Sequence, residues 1–263
     1  MTEYTLITGA TSGIGYALAK EFAGRGHHLI LASRNLARME EIKRDFAARR
    51  PGQEVVCLQT DLSLHDAPEE LFDRCRDLAV TVLVNNAGVV LETGRQIDHG
   101  LQDSMGMLRL NCTAVMKLCT LFGKAMCARR SGYILNVAST AAFQPMPFTA
   151  LYGASKAFVL SLSEAMHLEL EDCGVGVTAL CPGLTDTGLF KGGKPNVPGW
   201  IYKMVSPELT ARCAVEAMYR KKLYVVPYFQ HWLIVHVARF LPRSAVARVM
   251  RHIGKVRHKV RFI

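Results

Sequence analysis

A tyrosine four residues before a lysine has the plainest capacity for proton chemistry in this 263-residue chain: Tyr152 and Lys156, in Leu151-Tyr152-Gly153-Ala154-Ser155-Lys156. The stretch reads as a helix start, and i,i+4 spacing puts both side chains on one helical face. A phenol titrates near pH 10. An ammonium about 4 Å away, at an effective dielectric of about 20, favours the phenolate by up to about 4 kcal/mol. At about 1.4 kcal/mol per pH unit, this predicts a tyrosine pKa lowered by about 3 units before desolvation takes some back. Such a tyrosine trades protons near neutrality. Eight tyrosines and 12 lysines give roughly 0.4 such pairs by chance, so a helical surface pair is the competing reading.

The elements before the pair decide what it would act beside. Tyr4 to Thr8 is a short β-type run, followed by Gly9-Ala10-Thr11-Ser12-Gly13-Ile14-Gly15 and a helical pattern. Strand, glycine turn and helix are the context of a dinucleotide site, where backbone N–H groups and the helix dipole meet a pyrophosphate. The next strand, His28 to Ala32, ends in Ser33-Arg34-Asn35. An acidic residue there would hold a ribose hydroxyl, whereas Arg34 suits a 2′-phosphate, so NADP(H) is expected over NAD(H). Asp61, beside Leu62, meets an adenine edge or caps the helix beginning near Asp66. A fourth strand, Val80 to Val84, closes in Asn85-Asn86-Ala87-Gly88. Asn111 lies inside a long helical pattern from about Asp98 to Arg130, where asparagine is disfavoured. A fifth strand, Tyr133 to Ala138, ends in Ser139-Thr140, and Tyr152 opens a helix to about Asp172. A sixth strand, Val175 to Leu180, ends in Cys181-Pro182-Gly183, and a seventh covers Leu223 to Val226.

Alternating strands and helices predict an α/β, Rossmann-type, doubly wound sheet of seven mostly parallel strands with helices on both faces and a helical C-terminal extension. Half of the residues are apolar, and no repeat or Pro/Gly-rich linker divides the chain. One catalytic and dinucleotide-binding unit, 1–226, is expected, with a basic helical extension, 227–263. No charged-then-apolar leader precedes the first strand, and the eight cysteines are scattered without a C-x-x-C pair. A cytoplasmic protein with reduced, packed thiols and no metal site is expected.

Together these stretches resemble the short-chain dehydrogenase/reductase family over residues 4 to 226. The resemblance lies in Thr8-Gly9-x-x-x-Gly13-x-Gly15, in Asn85-Asn86-Ala87-Gly88, and in the order Asn111, Ser139, Tyr152, Lys156. It implies Tyr152 as general acid, Lys156 as partner of the tyrosine and of the nicotinamide ribose, Ser139 as donor to a carbonyl oxygen, and Asn111 as holder of a water. It implies cofactor contacts from the glycine turn, including Thr11, Ser12 and Ile14, from Asn86, Ala87 and Gly88, and from Pro182, Gly183, Thr185 and Thr187. The implied reaction is reduction of a hydrophobic ketone or aldehyde to an alcohol, or the reverse. The implied assembly is a homo-oligomer paired through the helices 98–130 and 152–172. A non-catalytic NADP(H)-sensing or membrane-peripheral protein is the alternative.

The charge sits at one end. Residues 217–263 contain 11 Lys and Arg and no acid, whereas residues 1–216 hold 21 basic and 22 acidic residues. The tail reads as two helices separated at Pro242, the second with Val246, Val249, Met250 and Ile253 on one face. Packing on the core or a partner subunit and contact with a membrane surface are both open for it. Nucleic acid is not expected, since no reading motif accompanies the charge. Leu184 to Ser206 reads as a lid, with Gly192-Gly193 as hinge and Phe190 and Trp200 as apolar contacts. The first tail helix, through Phe229, Trp232, Leu233 and Phe240, is expected to wall an apolar pocket beneath it.

Overall fold

Near-continuous aliphatic runs make strands that are buried on both faces. In the computed structural model, which describes residues 3–187 and 204–258, seven such strands form one sheet. They are β1 (Glu3–Thr8), β2 (His28–Ser33), β3 (Val55–Gln59), β4 (Ala79–Asn85), β5 (Gly132–Val137), β6 (Val175–Leu180) and β7 (Tyr224–Val225). The order is β3-β2-β1-β4-β5-β6-β7, and every pairing is parallel. This is the doubly wound α/β fold expected from the alternation of elements. The order reverses between β1 and β4, which leaves a crevice at the carboxyl ends of those strands.

Helices cover both faces of the sheet. α1 (Gly13–Gly24), α2 (Leu36–Arg49), α3 (Ala67–Arg74), α4 (Leu101–Leu108), α5 (Ala114–Arg129), α6 (Ala150–Glu169) and α7 (Pro207–Tyr219) follow in chain order. Phe22, Met39 and Val215 bring α1, α2 and α7 onto one face. Leu71, Leu118 and Val159 bring α3, α5 and α6 onto the other. Each such side chain, fully buried, contributes about 1.5–3 kcal/mol. The start of α7 is set as its Ser-Pro-Glu sequence predicts: the Ser206 hydroxyl accepts from the Leu209 N–H at 3.2 Å. All eight cysteines are free thiols. Burial pushes Cys75 and Cys119 up to about 12, so they are inert packing groups.

The long helical pattern of 98–130 is a continuous helical run, Leu101 to Arg129, with one irregularity inside it. A π-helical turn, Arg109–Thr113, joins α4 to α5. The tail forms α8 (Phe229–Val237), a 3₁₀ turn (Ala238–Phe240) and α9 (Arg243–His258), parted at Pro242 as expected. α8 turns His231 and Val235 inward, and α9 buries Val246. Among the described residues no helix is long and apolar enough to cross a membrane, and no cluster of three or more metal-ligating side chains occurs. The expected hinge Gly192-Gly193 and the contacts Phe190 and Trp200 lie outside the described residues.

Candidate active site

The expected cofactor end is built from backbone. Gly9 has φ +65°, a left-handed conformation that favours glycine. A Cβ on Gly15 would land on the Gly9 carbonyl and the Asn86 amide. With these positions bare, β1 passes directly into α1, whose first turn carries no acidic residue. The N–H groups there form a cradle for an anion. Asn86 fastens the turn from the side: its Nδ2 donates to the carbonyls of Thr8 at 2.9 Å and Gly9 at 3.1 Å. The Thr8 hydroxyl accepts from the N–H groups of Asn86 and Ala87, each at 3.0 Å, and donates to the Val84 carbonyl. Thr8 thus pins the end of β1 to the end of β4. The motif that opens at Thr8 does not by itself show this role, because the side chain faces the strands and not the crevice.

The crevice is a cleft of about 680 Å³. Gly9, Thr11, Ser12, Gly13 and Ile14 line one side, with Arg34, Asp61 and Leu62 beyond them. Asn86, Ala87 and Gly88 form its floor, and Pro182, Gly183, Thr185 and Thr187 approach from β6. Thr11 reaches Ser33 at 3.2 Å, linking the glycine turn to the rim where Arg34 stands exposed. Asp61 does not cap α3. Its carboxylate accepts from the Ser63 N–H and hydroxyl at 3.0 and 2.7 Å, which closes its own turn. Burial alone would raise that carboxyl, but the Ser63 hydrogen bonds and the Arg34 guanidinium outweigh it and hold it below its usual range.

Ser139, Tyr152 and Lys156 line the same cleft, Gly15 and Asn111 one layer behind it. Ser139 is held by its Oγ, which accepts from the Ala141 N–H at 3.1 Å. Lys156 is 6% exposed and its Nζ donates to the Val137 carbonyl at 2.7 Å. That ammonium lies 5.9 Å from the centre of the Tyr152 ring. Burial pulls Lys156 down to about 8. Burial also raises Tyr152 above its ordinary value, with the Ser139 hydroxyl pulling the other way. The expected 3-unit depression of the tyrosine is therefore corrected: desolvation wins, since Nζ is turned toward the Val137 carbonyl and lies over the ring. The phenol keeps its proton at neutral pH and is placed to give it.

Asn111 is 1% exposed, and its site is made by the π-turn, in which the Ala114 N–H bonds to the Arg109 carbonyl. Its Oδ1 accepts from the Val89 N–H at 3.0 Å, and its Nδ2 donates to the Val89 carbonyl at 2.9 Å and to Ser155 Oγ at 3.2 Å. The side chain is spent on positioning the segment after β4. A Cβ on Gly88 would meet both Asn111 Oδ1 and Lys156 Nζ, so asparagine and lysine flank one glycine.

The far end of the cleft differs from expectation. Its apolar wall includes Met146, Leu184, and Met250 and Ile253 of α9. Phe229 and Phe240 are 70% and 89% exposed, and neither they nor Trp232 and Leu233 line it. The first tail helix instead lays the His231 ring over Gly183. Met250 and Ile253 belong to the apolar stripe legible in the sequence, but a stripe alone does not say what it faces.

The short chain dehydrogenase family model matches residues 3–197. The chain is 34% identical over 194 residues to 17-beta-hydroxysteroid dehydrogenase type 3 of Rattus norvegicus, covering 73% of this chain and 62% of that protein. It is 31% identical over 226 residues to the very-long-chain 3-oxoacyl-CoA reductase of Anas platyrhynchos, covering 81% and 67%. The chain thus spans about two thirds or less of the length of these relatives. A short-chain dehydrogenase from Sphingobium yanoikuyae in complex with NADPH superposes with a TM-score of 0.79 at 29% identity, covering 91% of this chain and 94% of that one.

Proposed function

The chain belongs to the short-chain dehydrogenase family, and from that premise we propose that it is an NADP(H)-dependent oxidoreductase interconverting a bulky apolar ketone and its secondary alcohol. The observation that carries this reading is the single cleft that joins the glycine turn to Ser139, Tyr152 and Lys156. When bound, the nicotinamide supplies the hydride. The chain's own groups do the rest. The Ser139 hydroxyl and the Tyr152 phenol are the two donors for a carbonyl oxygen, and Tyr152 gives up its Oη proton as that oxygen becomes an alkoxide. Lys156 lies beside the phenol and favours its anion as the proton leaves, and it holds the nicotinamide ribose. Asn111 acts as a positioning residue through Val89.

The glycine cradle and the N-terminus of α1 fit a pyrophosphate, and Arg34 on the rim, with no acid at its position, favours a 2′-phosphate. Met146, Leu184, Met250 and Ile253 supply an apolar wall for the substrate. The hydroxysteroid and very-long-chain acyl names of the relatives agree with a bulky apolar substrate. Residues 1–226 are the catalytic unit and 227–263 an extension that completes the cleft. Exposed Met105, Met116 and Phe158 on α4, α5 and α6 support a homo-oligomer paired through those helices. A homologous series of aliphatic and cyclic ketones, assayed by NADPH consumption, tests the reading. Turnover rising with apolar bulk is expected, with NADH a poorer donor. NADPH binding without turnover of any ketone or alcohol would leave a cofactor-sensing protein instead.

A further inference from the structure

α8 carries a face that this chemistry does not use. While His231 and Val235 are buried, Phe229, Trp232, Leu233 and Val237 on the other side stay exposed, and Phe240 follows at the end. A helix that is apolar on both sides is normally covered on both. The rings of this face stack on one another: Phe229 on Trp232 at 5.9 Å, and Trp232 on His236 at 4.2 Å. Arg239 and Arg243 stand at the adjoining end, on the rim of a second groove of about 420 Å³ floored by Phe143, Leu160 and Leu241. Arg248 and Arg251 of α9 point outward. Among the described residues no tail arginine enters a salt bridge, and residues 217–263 contain no acid to answer these charges.

The charge selects the occupant. A second copy of this face would add more arginines and, from 217–263, no acid to answer them. An anionic bilayer offers apolar depth for the rings and phosphates for the guanidiniums. We propose that the outer face of α8, with Arg239 and Arg243 at its end, docks the protein on an anionic lipid bilayer. α9 carries both the outward arginines and the cleft wall of Met250 and Ile253, so docking surface and cleft share one helix.

The test is co-sedimentation of the full chain with phosphatidylcholine vesicles, with and without phosphatidylglycerol, in the absence of any substrate. In a Trp200→Phe background, Trp232 is the sole indole and its emission reports insertion. Binding to the anionic vesicles only, weakened by salt and accompanied by a blue shift, is expected. The double variant Phe229→Ser/Phe240→Ser should abolish the shift, and Arg239→Gln/Arg243→Gln should weaken binding by about fivefold per arginine. Neither pair lines the catalytic cleft, so unchanged NADPH affinity certifies the fold. No sedimentation, or sedimentation undiminished in both variants, overturns the proposal. So does a concentration-dependent dimer that Phe229→Ser/Phe240→Ser dissolves, because the face would then belong to a second copy. Because no turnover is measured, a failure here leaves the oxidoreductase reading standing, and a failure of that reading leaves this one.

Discussion

The two ends of the cleft are made of different material. At the end formed by β1, α1 and β4, the surface is backbone, kept bare by glycines and tied by Thr8 and Asn86. At the end formed by Met146, Leu184, Met250 and Ile253, the surface is flexible side chain, half of it from α9. A backbone surface recognises one shape and fails when atoms are added. A methionine-rich surface adapts, and it is tuned by removing or adding methylenes. The first arrangement suits a fixed cofactor and the second a variable substrate. The difference predicts that mutations at one end leave the other untouched.

The largest expected effect lies where the ends meet. Tyr152→Phe removes the proton source and keeps the ring, so single-turnover reduction should fall by about 10²–10⁴ with NADPH affinity near wild type. A rate near wild type would remove Tyr152 from the chemistry. Next is Arg34→Ala, at the cofactor end only. Loss of a charge-assisted phosphate contact of about 1.5–3 kcal/mol should weaken NADPH by roughly 10–150-fold and barely alter NADH. Fluorescence titration with both cofactors checks it, and equal losses would mean that the rim does not read the phosphate. Met250→Ala acts at the substrate end only. Each buried methylene is worth about 0.8 kcal/mol, so kcat/KM in a ketone series should rise by up to about fourfold per carbon until the pocket fills. The variant should flatten that slope with NADPH binding unchanged, whereas Trp232→Ala should leave it as in wild type. A shifted NADPH affinity in Met250→Ala would show that the two ends are coupled.

A last effect concerns stability and pH and not the rate. Lys156 titrates at about 8 in the folded chain, below its ordinary value of 10.5. Between those values the unfolded chain holds a proton that the folded one lacks, so wild-type stability should rise with pH across that window. Below pH 8 the buried ammonium costs up to about 3 kcal/mol. Lys156→Met, inactive, should therefore gain on wild type in melting temperature at pH 7 and lose that gain by several degrees toward pH 10. A temperature difference that does not change with pH would mean that the lysine is not desolvated.

What was legible in the sequence follows from the same division. A backbone cradle needs glycines at fixed spacing, so Gly9, Gly13 and Gly15 announce it. The strand that follows puts Arg34 on the rim by count alone. Spacing on a helix brings Tyr152 and Lys156 to one face, but it gives neither depth nor the direction of Nζ, and burial turns the shift of the tyrosine opposite to the expected one. The wall formed by Met250 and Ile253 was hidden for another reason. Amphipathic periodicity marks an inward face, but the turn at Pro242 decides which surface that face meets. The π-turn around Asn111 is not legible because the helical pattern runs on through it.

That turn makes chain length itself a part of the site. A residue advances about 100° around a helix axis. Deleting Leu110 would let α4 and α5 fuse into one regular helix, shorter by a residue and free of the widened hydrogen bond. Asn111 would then be carried away from Val89, and the segment after β4 that flanks Lys156 would lose its fastening. A homologue with the same tyrosine, serine, lysine and asparagine, but without this extra residue, would keep every recognisable letter of the motif and misplace one of its parts. Gap position between Asn86 and Ser139, and not residue identity alone, is therefore the feature by which a degraded relative of this protein would be known.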